Sequence, residues 1–312
     1  MTEAAKPPLR AWLLLALLAL IWGSSFLLIK KGLMAFTATE VGAIRISAAG
    51  WVLLPFALSR VAKLSKKHWL KLACVGLVGS FIPAFLFAIA QTQLQSGITG
   101  VLNALTPITT LILGVSFFHQ RTARAQVIGV LLGLVGTILL VTATASGDLQ
   151  FNSYALLVLG ATICYGLNLN LIKHKITDLG PLTITGVSLV MAAIPATVYL
   201  FLGTHVIDHA QQTNGLFSLS CILILGVVGT AAALIIFNYV VKLTNTVFTS
   251  SVTYLIPVVA VILGVLDGEA FWLQHAVGMV AILFGVWVAN RSGRSGLAGM
   301  PERDNQKRKS PA

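Results

Sequence analysis

The segment Val75-Gly76-Leu77-Val78-Gly79 recurs 150 positions later in the chain as Leu225-Gly226-Val227-Val228-Gly229. Pro107-Ile108 recurs at the same offset as Pro257-Val258. Matching small residues and prolines at one fixed offset indicate an internal duplication. We therefore predict that the chain contains two copies of one structural unit.

The composition places both copies in a membrane. Hydrophobic residues make up 57% of the 312 residues, only 10% are charged, and the mean hydropathy is +0.91. Residues 72–120 contain no Asp, Glu, Lys or Arg. A soluble domain of this length needs more charge on its surface, so we predict an all-α integral membrane protein. The apolar runs are continuous, whereas a membrane-spanning barrel needs alternating polar residues.

Ten helical spans of roughly 18 to 23 residues fit this pattern, because that length crosses a hydrocarbon core of about 30 Å. The predicted spans are 11–30, 38–59, 69–90, 96–118, 124–144, 153–173, 180–202, 217–239, 246–266 and 272–290. The predicted organisation is a cytoplasmic N-terminus (1–10), a first five-helix repeat (11–144), an external linker (145–152), a second five-helix repeat (153–290) and a disordered basic cytoplasmic tail (291–312).

The duplication extends toward both ends of the chain with small changes of register. Leu28-Ile29-Lys30 aligns with Leu171-Ile172-Lys173 at an offset of 143, and Gly129 aligns with Gly278 at an offset of 149. Five spans in each copy force the second copy to enter the membrane from the opposite side. The fold is therefore predicted to be two inverted five-helix repeats, an arrangement found in transporters that work by alternating access.

The basic residues predict the orientation. All but three of the 21 Lys and Arg residues fall on one side of the ten predicted spans, and the exceptions are Lys30, Lys31 and Arg45. By the positive-inside rule that side is cytoplasmic, so both termini are expected in the cytoplasm. We interpret the net charge of +12 as attraction to anionic lipid, not to nucleic acid. The expected location is a cell membrane, the bacterial inner membrane in particular.

A stripe of polar residues follows one face of the fourth predicted span. Thr99, Asn103, Thr106 and Thr110 stand at positions i, i+4, i+7 and i+11 of an otherwise apolar helix. We predict that Thr99, Asn103 and Thr106 bind substrate, with Phe87 supplying aromatic surface. Alternatively, the threonine hydroxyls bond their own helix or join neighbouring helices.

The ninth predicted span repeats part of this stripe with Thr249 and Thr253, and Tyr254 adds an aromatic ring. Pro107 and Pro257 follow the two stripes. Each proline removes one helical hydrogen bond, so we predict that both helices are broken near mid-membrane. Broken helices at equivalent positions in two repeats indicate a transporter's binding site.

The first and sixth predicted spans also carry polar and aromatic residues in matching positions. Tyr165 and Asn168 are predicted to face a central cavity, whereas Asn170 is predicted to bond a neighbouring helix. At the offset of 143, Tyr165 aligns with Trp22 and Asn168 aligns with Ser25. We therefore include Trp22 and Ser25 in the predicted substrate site.

Arg45 is the one charged residue in the interior of a predicted span. Its positive charge either holds a substrate carboxylate or the carboxyl end of a helix, or it reaches the outer interface or pairs with Glu40. Its equivalent in the second copy is Leu189, so a site that includes Arg45 is predicted to be asymmetric. Asp267 and Glu269, near the outer ends of the last two spans, are interpreted as a solvated rim; the alternative is a proton relay.

These residues resemble a known family of membrane proteins. Trp22-Gly23-Ser24-Ser25-Phe26 followed by Arg45, and later Leu255-Ile256-Pro257 and Gly268-Glu269, are similar to the motifs of EamA-type drug/metabolite transporters. The resemblance covers nearly the whole chain. It implies a ten-helix bundle with a central cavity that exports or exchanges small organic metabolites, often amino acids. In the first repeat, Phe118-His119 replaces the Gly-Glu pair that is common in the family.

The expected function is a secondary transporter, by resemblance an exporter, of small neutral or zwitterionic metabolites such as amino acids. One alternative is a carrier for lipidic or nucleotide-sugar cargo. The other is a membrane protein without a transport cycle. The cysteines Cys74, Cys164 and Cys221 lie in apolar runs, and no His has metal-ligand spacing, so we predict no metal and no cofactor. Expected partners are a small-molecule substrate and the lipid bilayer, and the chain is a monomer or a homodimer. We expect no enzymatic activity, because paired acids at catalytic depth are lacking.

Overall fold

The computed structural model describes residues 8–62, 64–118, 120, 123–142, 152–244, 249 and 252–297. Within these residues every regular element is helical. The helices, in chain order, are α1 (Leu9–Gly32), α2 (Ala38–Val61), α3 (Lys66–Ala90), α4 (Ser96–Phe118), α5 (Arg124–Thr142), α6 (Ala155–Lys175), α7 (Pro181–Leu202), α8 (Val206–Ala210), α9 (215–243), α10 (Val252–Leu266) and α11 (Leu273–Leu297).

Seven of the described helices are long and apolar enough to cross a membrane: α1, α2, α3, α4, α6, α7 and α9. Shorter apolar helices of 10 to 17 residues lie within α5, α10 and α11. Their outward-facing side chains are large and hydrophobic, as in α5, where Leu131, Leu134 and Ile138 are each more than half exposed. Such a surface is stable against lipid tails, so this is an all-α, multi-pass membrane protein.

Three of the helices depart from regular α-helix at mid-length. α3 contains a π-helical turn at Leu77–Phe81, and α9 contains one at Val227–Ala232. The two π-helical turns begin 150 residues apart, so they occupy the same position in both copies. α4 is interrupted between Asn103 and Thr106.

Equivalent helices of the two copies pack against each other in opposite directions. Where α5 meets α11, Gly129 lies against Gly285 and Gly136 lies against Gly278. Residue numbers therefore rise along one helix as they fall along the other. Glycine at these positions lets the two backbones touch, which is how helices associate closely in a membrane.

The second pair of equivalent helices, α2 and α7, is also antiparallel. The Tyr199 hydroxyl donates to Thr39 Oγ1 at 3.0 Å, and Gly50 lies against Ala193 further along both helices. An antiparallel arrangement of two equivalent helices is what an inverted repeat requires.

Contacts between non-equivalent helices also occur twice. Gly23 of α1 lies against Val259 of α10, and Gly166 of α6 lies against Thr109 of α4. Gly166 follows Gly23 by 143 residues, and Val259 follows Thr109 by 150. The same contact between non-equivalent helices therefore occurs in both copies.

The close packing of α5 and α11 leads to a stability prediction. A Cβ atom at Gly285 would lie 2.6 Å from the carbonyl oxygen of Gly129, so the helices must separate to admit it. We expect Gly285→Ala to lower the free energy of unfolding by about 1–3 kcal/mol. Thermal unfolding of the purified protein in detergent measures this change.

The matched control is Gly160→Ala in α6, where the nearest atom would be at 3.5 Å, an ordinary contact. Alanine there gains helix propensity without a clash, so the melting temperature is expected to stay or rise. Equal melting temperatures for the two variants would contradict the tight α5–α11 contact.

Candidate functional site

A cavity of about 240 Å³ lies between the helices near the middle of their length. Residues from α1, α2, α3, α4, α6, α9 and α10 line it, so both copies contribute. The lining residues are Trp22, Ser25, Phe26, Ile29, Arg45, Ile46, Gly79, Ser80, Phe87, Asn103, Ala104, Thr106, Tyr165, Gly229, Thr230, Leu234, Thr253 and Ile256.

Both π-helical turns contribute residues to the cavity wall. A π-helical turn leaves backbone groups outside the regular hydrogen-bond ladder, and such turns are frequent at functional sites. In α9 the freed Gly229 carbonyl accepts a hydrogen bond from Trp22 Nε1 at 3.1 Å. Thr230 Oγ1 donates to the carbonyl of Leu225, five residues earlier, at 3.1 Å. The widened turn is thus stabilised by side chains that line the cavity.

The π-helical turn of α3 packs against α6. A Cβ atom at Gly79 would lie 2.4 Å from Asn168 Nδ2, so glycine is needed for the Asn168 amide to fit. The equivalent contact in the other copy brings Gly229 close to Ser25 Oγ, at 3.4 Å from a Cβ atom built on the glycine. The larger amide fills the space on the α3 side, which makes the two halves of the cavity unequal.

The polar groups of the cavity include one cation and one unpaired acceptor. Among the described lining residues, Arg45 alone is charged, and its Nε donates to Thr230 Oγ1 at 3.3 Å. Asn103 Oδ1 is buried and has no hydrogen-bond partner. A buried amide oxygen without a partner is costly, and a ligand that supplies a donor would remove that cost.

Aromatic rings of the cavity wall contact other rings in two groups. Trp22 contacts Phe237 with ring centroids 5.5 Å apart, and Phe26 meets Phe87 edge-on at 5.8 Å. Phe87 in turn stacks on Tyr165 at 6.0 Å. These rings offer apolar area and a preferred orientation to a ligand.

The structure brings most of the predicted site residues together at this cavity. Those that line it are Trp22, Ser25, Arg45, Phe87, Asn103, Thr106, Tyr165 and Thr253. Four predicted residues are not among the lining residues: Thr99, Asn168, Thr249 and Tyr254. Thr99 and Thr249 are fully buried, and Thr99 Oγ1 donates to the carbonyl of Gln95 at 2.9 Å. The Tyr254 hydroxyl lies 3.4 Å from the carbonyl of Val286 on α11, and Asn168 lies behind Gly79.

Only the middle of the predicted polar stripe lines the cavity. α4 is interrupted between Asn103 and Thr106, but Thr99 shares a regular segment with Asn103, and its hydroxyl bonds to the carbonyl of Gln95 in the preceding turn. Thr110 Oγ1 donates to the carbonyl of Thr106 at 2.7 Å, a bond within the helix. Asn103 and Thr106 therefore face the cavity while Thr99 and Thr110 do not line it.

The two prolines behave differently. Near Pro107 the helix is interrupted as predicted, and the Asn103 carbonyl accepts the Thr106 hydroxyl at 2.8 Å. The prediction that Pro257 also breaks its helix was wrong, because Pro257 lies inside an uninterrupted α10. Loss of one hydrogen bond at Pro257 is tolerated where neighbouring helices hold the segment.

At the ends of the spans, the structure contradicts two predicted interactions and confirms a third. Glu40 does not pair with Arg45, since its carboxylate accepts from the Thr37 N–H and from His209 Nδ1, both at 2.8 Å. The interpretation of Glu269 as part of a solvated rim was wrong, because its side chain is only 6% exposed. The prediction that Asn170 bonds a neighbouring helix is confirmed by its bond to the Thr110 carbonyl at 2.9 Å.

Sequence reasoning missed Ser80 and Thr230, which line the cavity beside the two π-helical turns. The aligned pairs Gly79-Ser80 and Gly229-Thr230 carried this signal, because glycine followed by a hydroxyl residue recurs at the offset of 150. Within the described residues no group of three or more His, Cys, Asp or Glu side chains comes together to hold a metal ion.

A partly polar cavity enclosed at mid-length by membrane-spanning helices defines the class of the protein, a membrane transporter. The chain belongs to the EamA-like transporter family, whose model matches residues 9–142 and 152–291. The family match confirms the resemblance carried by the sequence motifs.

Three bacterial proteins are among those similar to this chain. The uncharacterized inner membrane transporter YedA of Escherichia coli (strain K12) is 28% identical over 85% of this chain and 87% of its own length. A probable amino-acid metabolite efflux pump of Salmonella typhimurium is 24% identical over 87% and 92%. A probable terminal-alkyne amino-acid exporter of Streptantibioticus cattleyicolor is 25% identical over 93% and 97%.

The fold also matches a protein of known crystal structure. The two chains superpose with a TM-score of 0.62 at 19% identity, over 92% of this chain and 98% of the other. At this identity, the match shows only that the two folds are similar.

The placement of threonines along α4 leads to an accessibility prediction. Thr106 lines the cavity and Thr99 is fully buried, although both belong to the same helix. In a chain whose three native cysteines are replaced by serine, we expect Thr106→Cys to react with a small hydrophilic thiol reagent at least about tenfold faster than Thr99→Cys, because only accessible thiols react. Mass spectrometry of the labelled protein in detergent gives both rates. Equal rates would contradict the placement of Thr106 on the cavity wall and of Thr99 outside it.

Proposed function

We propose that this protein is a secondary transporter that moves small neutral or zwitterionic organic molecules, such as amino acids, by alternating access. The observation that carries the proposal is that one cavity is lined both by Arg45 and by Asn103, whose Oδ1 has no hydrogen-bond partner in the protein. A guanidinium binds carboxylates through charge-assisted hydrogen bonds, and an amide oxygen accepts from an ammonium or amide. A zwitterion supplies both groups.

The charge of the cavity favours zwitterions over cations. The described lining includes Arg45 and no Asp or Glu, so a molecule with net positive charge meets repulsion without compensation. A volume of about 240 Å³ is small beside the ~300–1,000 Å³ of pockets for drug-sized ligands. The aromatic wall suits a substrate with an apolar side chain.

The names of two relatives support the same substrate class and transport out of the cell. One is called a probable amino-acid metabolite efflux pump and the other a probable terminal-alkyne amino-acid exporter. We therefore place export of amino acids or their derivatives first among the possible cargoes.

The proposed architecture is ten transmembrane helices in two inverted five-helix repeats, with α1 to α5 in the first repeat and α6, α7, α9, α10 and α11 in the second. The antiparallel packing of equivalent helices supports the inversion. The distribution of Lys and Arg supports a cytoplasmic location for both termini. The relative YedA is named an inner membrane transporter, which supports the bacterial inner membrane as the location of this protein.

Counterflow in liposomes tests the proposed function. Liposomes that contain purified protein are preloaded separately with neutral amino acids, cationic amino acids, nucleosides and simple sugars. We expect preloaded neutral amino acids to accelerate entry of a labelled neutral amino acid, and cationic amino acids not to do so. Silence across the whole panel, with folded protein, would overturn the proposal and favour lipidic cargo or a role without a transport cycle.

Arg45 gives the sharpest test of carboxylate binding. Lysine keeps the charge but loses the planar two-point contact, so Arg45→Lys is expected to raise the half-saturation constant of a zwitterionic substrate by about tenfold. The matched control is the amide of the same substrate, which has no carboxylate and should be equally poor with both proteins. A half-saturation constant that stays unchanged would leave Arg45 without a binding role.

Asn103 and Asn170 form a matched pair that separates binding from stability. Asn103→Ala removes an acceptor with no partner in the protein, so it is expected to lower transport and leave the melting temperature unchanged or higher. Asn170→Ala removes bonds to the carbonyls of Thr110 and Gly166, both at 2.9 Å, and is expected to cost about 1–3 kcal/mol of stability.

Thermal unfolding and initial transport rates per folded molecule distinguish the two variants. A large loss of stability in Asn103→Ala with normal transport per folded molecule would show that Asn103 holds helices together instead.

A further inference from the structure

Glu269 joins three helices at the end of the molecule that is predicted to face outward. Its Oε1 accepts from Lys30 Nζ, near the end of α1, and from the Ser96 N–H, both at 2.9 Å. Its Oε2 accepts from the Gly97 N–H at 2.9 Å, at the start of α4. Glu269 itself follows α10. The carboxylate thus ties together α1, α4 and α10, and all three line the cavity.

The carboxylate is built into the fold and ionised. A Cβ atom at Gly264 would lie 2.4 Å from Glu269 Oε2, so glycine at that position makes room for the side chain. Burial opposes ionisation, but the bonds from the Gly97 N–H and Lys30 outweigh it and hold the pKa of Glu269 below its ordinary value. Glu269 therefore remains charged at neutral pH, and the ion pair with Lys30 persists.

A second acid strengthens the same cluster. Asp267 accepts from Lys30 Nζ at 2.8 Å and from Lys31 Nζ. These contacts link the end of α1 to the turn after α10 for a second time. Separation of α1 from α4 and α10 would break several charge-assisted bonds at once.

The opposite end of the molecule lacks this carboxylate at the equivalent position. By the internal alignment, Phe118-His119 stands where the second copy has Gly268-Glu269, and His119 lies outside the described residues. There α4 meets α6 through the Phe118 ring, which stacks on His174 at 4.9 Å, and through Gln120, which donates to Asn170 at 3.0 Å. The described contacts between α4 and α6 at that end are aromatic or neutral polar.

Between the described residues at that end, one ion pair includes a carboxylate, and that pair is exposed to solvent. His68 Nε2 lies 2.7 Å from Asp178 Oδ2, but the Asp178 side chain is 60% exposed. Exposed pairs contribute little because water competes for both partners. The two ends of the cavity are therefore held by contacts of unequal strength.

We propose that Glu269 and Lys30 form a latch that keeps the predicted outer end of the cavity closed, so that the empty transporter rests with its outer end shut. The latch rests on the proposed transport function, because only a protein that alternates between two openings needs one. Opening the outer end breaks this ion pair, in which Glu269 is buried and Lys30 is partly exposed, and frees two N–H groups of α4. Among the described residues, opening the other end breaks exposed or uncharged contacts, which is less costly.

Thiol labelling from outside tests the latch without any substrate. Ala104→Cys, in a chain whose native cysteines are replaced by serine, places one reporter thiol on the cavity wall. Intact cells are treated with a membrane-impermeant thiol reagent. Adding Glu269→Gln is expected to accelerate labelling at least about tenfold, because the amide keeps the size but loses the charge that holds Lys30 and both N–H groups.

Lys30→Met is the second variant, because it leaves Glu269 bonded to the start of α4 and is therefore expected to fold. It should also accelerate labelling from outside. If labelling stays slow in both variants with folded protein, the latch is wrong.

The matched control is Glu40→Gln at the same end of the molecule. Glu40 is 1% exposed and accepts from the Thr37 N–H and His209 Nδ1, so it joins α2 to α8 and not the three helices of the latch. Its labelling rate is expected to match that of the Ala104→Cys parent. An acceleration equal to that of Glu269→Gln would mean a general loosening of this end and would overturn the latch.

The resting state and the transport function have separate readouts. With the latch intact, the reporter is expected to react faster from the cytoplasmic side, measured in inverted membrane vesicles, and faster labelling from outside would overturn the closed resting state. Counterflow with unchanged labelling in the Glu269 and Lys30 variants would reject the latch and keep the transporter. Accelerated labelling with a silent counterflow panel would reject the proposed cargo and keep the latch.

Discussion

Hydrocarbon offers no hydrogen bonds, so each backbone group inside the membrane must find its partner within the protein. This constraint governs where the structure can depart from regular helix. The freed Gly229 carbonyl is taken by Trp22, the widened turn is closed by the Thr230 hydroxyl, and the Asn103 carbonyl at the interruption of α4 is taken by Thr106. The irregular backbone therefore lies beside the side chains that satisfy it, and those side chains enclose the cavity.

The duplicated scaffold carries an asymmetric site. Both copies place a glycine in a π-helical turn against the cavity, yet Gly79 is backed by the Asn168 amide and Gly229 by the smaller Ser25. Arg45 has Leu189 as its equivalent, so only one half supplies charge. A symmetric frame with unlike polar groups suits a molecule whose two ends differ chemically. Under the proposed alternating access, the frame would exchange its two conformations while the ligand keeps one orientation.

Much of the scaffold could be predicted from the sequence, because the offset of 150 aligns Gly79 with Gly229 and the π-helical turns follow that register. Residues on regular helix, such as Trp22 and Tyr165, were predicted correctly to line the cavity. The failures concern depth and packing behind the wall. Thr99 lies one turn before Asn103 on the same regular segment but does not line the cavity, and Asn168 lies behind Gly79 on regular helix. Helical periodicity predicts the face on which a residue lies, but not how far along the helix a cavity extends.

Arg45 lies partly buried among neutral hydroxyl partners, Thr230 and Tyr165, and this has a consequence for the proposed transport cycle. A guanidinium at membrane depth is expensive unless an anion pairs with it, and the described lining of the cavity supplies none. A substrate carboxylate would lower that cost. Closing the cavity at both ends, which alternating access requires during each passage, is therefore easier with substrate bound than without it. The same residue that selects a carboxylate would thus couple substrate binding to the change between the two openings, since a ligand shifts a conformational equilibrium by its difference in affinity for the two states.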